Sequence, residues 1–143
     1  MPKKFRISIV TPEKTAFEAQ AAAVVLPGTE GYLGVWADHA PLVTALGPGV
    51  VTVHEDERGA SASAKIFAVS GGFVEIAHNE VIVLCDTCES AGEIDVDRAK
   101  KARDRAKARL KAPEPGVDID RARIAVERAE ARLKAAYLRD EGR

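Results

Sequence analysis

The chain changes texture near residue 90, and that break constrains the fold more than any other feature of the sequence. Before it, short apolar runs alternate with turn residues. After it, Ala, Arg, Lys and Asp dominate. A half-buried strand needs an apolar side chain at every second position, whereas a surface helix needs one every three to four. One pattern cannot serve both, so the sequence predicts two unlike units, residues 1–90 and 91–143.

In the first unit, Phe5, Ile7 and Ile9 alternate with Arg6 and Ser8, the period-2 pattern of a strand. Ala22–Leu26 is stopped by Pro27-Gly28, Tyr32–Val35 lies between glycines, and Val50–Val53 runs into the polar turn Glu55–Gly59. Lys65–Val69 and Phe73–Ile76 flank Ser70-Gly71-Gly72, and Val81–Cys85 follows the turn His78-Asn79-Glu80. Turn signals recurring about every ten residues, with β-branched runs between them, predict an antiparallel β-sandwich. No helix-period stretch interrupts them, which argues against a parallel βαβ fold.

In the second unit, Ile94-Asp95-Val96-Asp97-Arg98-Ala99 is nearly repeated as Val117-Asp118-Ile119-Asp120-Arg121-Ala122. Each copy supplies Asp residues to cap a helix N-terminus and favour the positive end of its dipole. Pro113-Glu114-Pro115-Gly116 separates the copies and makes a turn. Two helices of about four turns each, joined by a short loop, should form an antiparallel hairpin. Their apolar stripes are Ala99, Ala102, Ala106 and Leu110, and Ala122, Ala125, Val126, Ala129, Leu133, Ala136 and Tyr137. Alanine lets helices approach closely but buries little area, so the hairpin should be held weakly, able to detach or open at modest cost.

Charge is unevenly placed. Residues 1–90 hold 6 Lys or Arg against 11 Asp or Glu, and residues 91–143 hold 15 against 11. A basic tail on an acidic body points to an anion or an acidic surface as the tail's partner. Arg98 and Arg105 are seven apart and Arg128 and Arg132 four apart, so each pair shares a helix face. Guanidinium groups from two antiparallel helices would converge on an anion, with phosphate suiting their bidentate geometry. The competing reading is a solvated face laced with pairs such as Asp97–Lys101 and Glu130–Lys134. A nucleic-acid role is not expected, because acids interrupt the cations and the helices carry a single aromatic.

No apolar run approaches the roughly 18–20 residues of a membrane-spanning helix. The strand pattern begins almost at Met1, so no secretory leader or transit peptide is expected. Neither a phosphate-cradling Gly-x-x-x-x-Gly-Lys-Ser/Thr nor a Gly-x-Ser-x-Gly elbow occurs. His39, His54 and His78 are scattered, and Ser70-Gly71-Gly72 sits where glycines serve a hairpin or bulge. Cys85 and Cys88 supply half the ligands of a zinc site and stand at a strand end rather than a helix start. No metal site, cofactor or catalytic residue is expected. One loop, Gly28 to Leu42, is open to two readings: a turn with core aromatics, or a contact surface built on Tyr32, Trp36 and His39.

Gly31-Tyr32-Leu33-Gly34-Val35, then His39-Ala40-Pro41-Leu42 and Leu46-Gly47-Pro48-Gly49, carry a resemblance to a known family. Phe67–Glu75 and Val81–Thr87 extend it, as does the appended hairpin. The chain resembles the epsilon subunit of bacterial F-type ATP synthases over nearly its whole length. That resemblance implies a non-catalytic central-stalk subunit bound to the gamma subunit and the c-subunit ring of a proton-translocating complex. It would lie peripherally at the cytoplasmic face of the cell membrane, associated through the complex alone.

The resemblance also implies that the sandwich meets gamma and the c ring near Glu30, Tyr32 and His39, although many relatives carry a polar or acidic residue where Tyr32 stands. The hairpin would be a regulatory arm, permissive when folded down and inhibitory to ATP hydrolysis when extended into the alpha/beta head. Some relatives bind ATP in the folded-down arm through an Ile/Leu-Asp-x-x-Arg-Ala motif. Here that motif is Ile94, Asp95, Arg98 and Ala99, with Glu89 before it, Arg105 seven residues on, and Arg128 and Arg132 on the second helix. ATP would thus be a regulatory ligand rather than a required cofactor. The residues leave open a stand-alone nucleotide-sensing module and, further off, a thiol-redox or zinc protein using Cys85 and Cys88.

Overall fold

In a computed structural model, the structure describes residues 3–56 and 64–141. Among the described residues ten strands come first: β1 Phe5–Val10, β2 Thr15–Ala21, β3 Ala23–Gly28, β4 Gly31–Trp36, β5 Leu42–Leu46, β6 Gly49–His54, β7 Lys65–Val69, β8 Gly72–Ala77, β9 Glu80–Cys85 and β10 Cys88–Ser90. A 3₁₀ turn, Ala91–Glu93, then leads to α1 Val96–Lys111 and α2 Ile119–Glu141. The expected turn at Glu55–Gly59 falls partly outside the described residues, from Glu57 onward.

Hydrogen bonding links the strands in the order β10-β7-β6-β3-β5-β8-β9-β1-β2, with β4 on the free side of β3. The link between β3 and β5 is a single pair, Gly28 with Leu46, and there the sheet folds over into two layers. Val24, Leu26, Val51, Val53, Phe67 and Val69 from one layer meet Phe5, Ile7, Ile9, Val74, Ile76, Val81 and Val83 from the other in one core. Phe17 on β2 and Phe67 on β7 bring their rings to 4.8 Å between centroids, which closes the sandwich at its open end. Among the described residues every strand pairing is antiparallel except one, since β1 lies parallel to β9.

Two turns explain glycine-rich and polar sequence between strands. His78 and Asn79 both take positive φ (51° and 57°), the two-residue turn whose twist matches a hairpin. Gly72 has φ +152°, and a Cβ there would lie 1.9 Å from the carbonyl oxygen of Leu84. Ser70-Gly71-Gly72 is therefore a tight strand connection, as its sequence suggested.

The hairpin lies on the outer face of β6 and β7. Val50 and Ala68 point away from the sandwich core and pack with Ala91, Ile94, Ala135 and Ala136 in a second, smaller core. Strands buried on both faces read as continuous apolar runs, which is how Val50–Val53 appears in the sequence. The helices are unequal, with 16 and 23 residues, so α2 is longer than the four turns expected of it. Asp95 and Asp118 cap them, each accepting a 3.1 Å bond from the backbone N–H three residues on. Gly116, at φ +90°, makes the turn between them.

Most of the expected helix stripes face inward, Ala99, Ala106, Ala122, Ala129 and Ala136 being buried. Tyr137 does not. It is 61% exposed and donates its hydroxyl to Glu141 Oε1 at 2.7 Å. Conversely Ala131 and Ala135 are buried, because α2 packs on the sandwich as well as on α1. Arg139 reinforces that docking by donating from Nη1 to the carbonyl oxygen of Ala91 at 2.8 Å.

Candidate functional site

A cleft of about 790 Å³ opens where the start of α1, the last strand and α2 converge. It is lined by Glu89, Glu93, Asp95, Asp97, Arg98, Ala99, Lys101, Ala102, Arg105 and Arg132. The lining follows from helix periodicity: Arg98, Ala102 and Arg105 occupy one face of α1, and Asp95 begins it. Four carboxylates cluster at the N-terminal end of α1, and the cations extend along it. Arg98 and Arg105 are separated by roughly 10 Å along the helix axis. Such a cleft offers both carboxylate acceptors and guanidinium donors, with Arg105 farthest from the start of α1.

Six of the eight residues that the sequence nominated for an anion site line this cleft: Glu89, Asp95, Arg98, Ala99, Arg105 and Arg132. Arg128 lines an adjoining 300 Å³ cavity together with Ser70, Thr87, Cys88, Glu89, Glu93 and Arg132. Ile94 lies beneath the site, 7% exposed, in the second core. Its side chain holds the start of the arm against Val50 and does not reach the cleft. Glu93, Asp97, Lys101 and Ala102 also line the cleft, and the motif comparison had not singled them out. For Lys101 and Ala102, three and four residues from Arg98 and Arg105 on α1, helix spacing is the signal that finds them.

Charge pairing within the site is sparse. Arg132 Nε lies 3.3 Å from Glu89 Oε1, an ion pair without hydrogen-bond geometry that ties α2 to β10. Among the described residues Arg98, Arg105 and Arg128 make no side-chain salt bridge. The expected pairs Asp97–Lys101 and Glu130–Lys134 are also unformed. Glu130 instead reaches across to Lys107 on α1 at 3.4 Å, and Lys134 stands over the ring of Tyr32 at 4.2 Å. Of the arginines lining the cleft, Arg98 and Arg105 are thus without a carboxylate partner and Arg132 has one.

The residues nominated for partner contact sit elsewhere. Glu30 is exposed in the β3–β4 turn, and His39 is half-buried with Nδ1 2.7 Å from the carbonyl oxygen of Ala40. Tyr32 is engaged within the chain, its hydroxyl accepting from Val50 N–H at 3.0 Å. A further surface was not legible in the sequence. Val43, Phe73 and Leu84 are 69%, 58% and 45% exposed on neighbouring strands β5, β8 and β9, where Phe73 is in register with Leu84. Val43 is in register with Glu75, two residues from Phe73, so the three share the outer face of these strands.

Cys85 is buried at the end of β9 and Cys88 half-buried at the start of β10, and both are free thiols. The Cys88 thiol hydrogen-bonds Cys85, which lowers the pKa of Cys85. That same bond, with burial, raises the pKa of Cys88 well above the ordinary thiol range.

Fold and cleft together define a class: a β-sandwich with an appended helical hairpin folded down over a charged cleft. Residues 4–91 match the family model described as the β-sandwich domain of the ATP synthase delta/epsilon chain, and residues 93–136 match its long α-helix domain. The chain belongs to this family, the non-catalytic central-stalk subunits that couple rotor to catalytic head in F-type ATP synthases. It is 51% identical to the ATP synthase epsilon chain of Moorella thermoacetica, over 78% of this chain and 80% of that one. It is 46% identical to the epsilon chain of Desulforamulus reducens, over 78% and 81%. Among solved structures, a chain of the Euglena gracilis mitochondrial ATP synthase superimposes with a TM-score of 0.81 at 27% identity, covering 96% of this chain and 83% of that one. No helix of the described residues is long and apolar enough to cross a membrane.

Proposed function

We propose that the hairpin is a movable regulatory arm whose docked position is stabilised by ATP bound in the cleft between α1, α2 and β10. In this reading the sandwich, residues 1–90, anchors the chain to the gamma subunit and the c ring at the cytoplasmic face of the membrane. The apolar face of Val43, Phe73 and Leu84 is suited to gamma, and the end carrying Glu30, Tyr32 and His39 to the ring. The arm, residues 91–143, inhibits ATP hydrolysis when it extends toward the alpha/beta head.

One observation carries the ATP reading. Arg98 and Arg105 from one helix and Arg132 from the other line a single cleft, with Glu89 of β10 in its wall. Phosphates would meet these guanidinium groups, with Arg128 beside them. The carboxylates of Glu89 and Asp95 would accept hydrogen bonds from the amino and hydroxyl groups of the nucleoside. Asp95 already spends one oxygen on capping α1 and keeps the other for a ligand. A ligand that binds only the docked arm shifts the equilibrium toward it. At 100 times its dissociation constant the shift is about 2.7 kcal/mol, enough to control an arm seated largely on alanines.

Titration calorimetry of the full-length chain with ATP tests this directly. Saturable heat is expected, with affinity reduced at least about tenfold in Arg98→Ala and Arg132→Ala, since each loses a charge-assisted contact worth about 1.5–3 kcal/mol. No heat at millimolar ATP, or unchanged affinity in both variants, would overturn the reading.

A further inference from the structure

The junction between sandwich and arm contains a contact that the ATP reading does not use. Tyr32, near the start of β4, carries Lys134 of α2 over its ring, with Nζ 4.2 Å from the centroid. The same side chain accepts a hydrogen bond from Val50 N–H at 3.0 Å. The β3–β6 ladder ends at Val25 and Thr52, so the Tyr32 hydroxyl serves β6 beyond the point where its strand partner leaves it. Gly49 makes this approach possible, because a Cβ there would lie 2.9 Å from Tyr32 Oη and 2.5 Å from Pro27 Cβ. Val50 in turn presents its side chain to Ala135 and Ala136, the residues that follow Lys134.

One tyrosine therefore holds the seat of the arm through its hydroxyl and the arm itself through its ring. Lys134 is available for this because Glu130, its expected partner one turn back, pairs with Lys107 instead. We infer that Tyr32 and Lys134 form a latch that holds the hairpin on the sandwich independently of nucleotide. The latch rests on the reading of the hairpin as a movable arm, but not on the ATP site, from whose lining both residues are absent. It also links the β3–β4 turn, with Glu30 at its tip, to the position of α2.

A cation stacked on an exposed aromatic contributes modestly, so its loss should raise the arm's opening constant about two- to fivefold. Hydrogen exchange of the full-length chain without nucleotide, read by mass spectrometry over α2, β6 and the sandwich core, tests the latch. Lys134→Gln and Tyr32→Ala should each accelerate exchange in α2, and the double variant should exceed Tyr32→Ala by less than the factor Lys134→Gln gives alone. Tyr32→Phe keeps the ring and should retain most α2 protection while exposing the Val50 amide. Lys134→Gln alters an exposed side chain and preserves the fold, so the test stands even if Tyr32→Ala destabilises the sandwich. If α2 exchanges ahead of the sandwich but equally in wild type and Lys134→Gln, or if the two substitutions are fully additive, the latch is wrong and the arm remains. If wild-type α2 exchanges only in step with β1 and β9, both the movable arm and the latch are wrong.

Discussion

Substituting Ala135→Leu should undock the arm while leaving the sandwich intact. Ala135 is fully buried, packed with Val50, Ala68, Ile94 and Ala136 where α2 sits on β6 and β7. Leucine adds three carbons to a seat that is closed by β-sheet on one side and by its own helix on the other. Forcing extra methylenes into a packed site costs about 1–3 kcal/mol. The cost falls on the docked state alone, since in an undocked helix leucine is solvated and is a good helix former. The docking constant should therefore fall about 5- to 150-fold. Amide exchange separates the outcomes: α2 should lose protection by that factor, while β1, β8 and β9, which do not touch the seat, keep theirs. ATP affinity should fall as well, because Arg132 reaches the cleft only from the docked helix. Unchanged α2 protection, or equal loss of protection throughout the chain, would show that Ala135 is not the seat of a separately docking element.

Two other perturbations probe single interactions. Asp95→Ala should remove the α1 cap at a cost of about 1 kcal/mol and fray its first turn, whereas Asp95→Asn should keep the cap and lose only the charge. Circular dichroism and calorimetry on the pair distinguish capping from ligand contact, and identical behaviour of the two variants would contradict the assignment. Cys88, held protonated by its bond to Cys85 and by burial, should react with a charged maleimide slowly at neutral pH and accelerate only at a more alkaline pH than a free cysteine. Because it lines the cavity beside Arg128, ATP should slow the reaction further, and fast labelling at pH 7 insensitive to ATP would count against both points.

Much of the fold is legible because it is written in local periodicity. The runs at Phe5–Ile9, Val50–Val53, Lys65–Val69 and Val81–Cys85 all fall within strands. Strand β2 escapes notice because Thr15–Ala21 carries Ala, Glu and Gln at the sheet edge, where little needs burying. Strand β5 hides in a run whose Leu42 and Val43 are exposed. The parallel pairing of β1 with β9 is invisible locally, since it joins residues more than seventy positions apart. On the arm, a single stripe was expected on α2, yet Ala131 and Ala135 face inward and Tyr137 outward, because a helix resting on two neighbours has two buried faces. The cleft was legible in part. Spacing placed Arg98 with Arg105 and Arg128 with Arg132, but only the docked arm shows that Ile94 supports the site from below while Arg128 lines an adjoining cavity. Tyr32 was nominated as a contact for partners, and its engagement by Lys134 depends on a docking geometry that no local pattern encodes.

Whether ATP holds the arm down can be measured in one experiment: amide exchange of α2 in the full-length chain, with and without ATP, in wild type and Arg98→Ala. At 100 times the dissociation constant, ATP should slow the opening of α2 about 100-fold in wild type. The sandwich core should be unaffected, and in Arg98→Ala at the same ATP concentration the effect should fall to about tenfold or less. Exchange in α2 that is unchanged or faster with saturating ATP would contradict a nucleotide-stabilised arm.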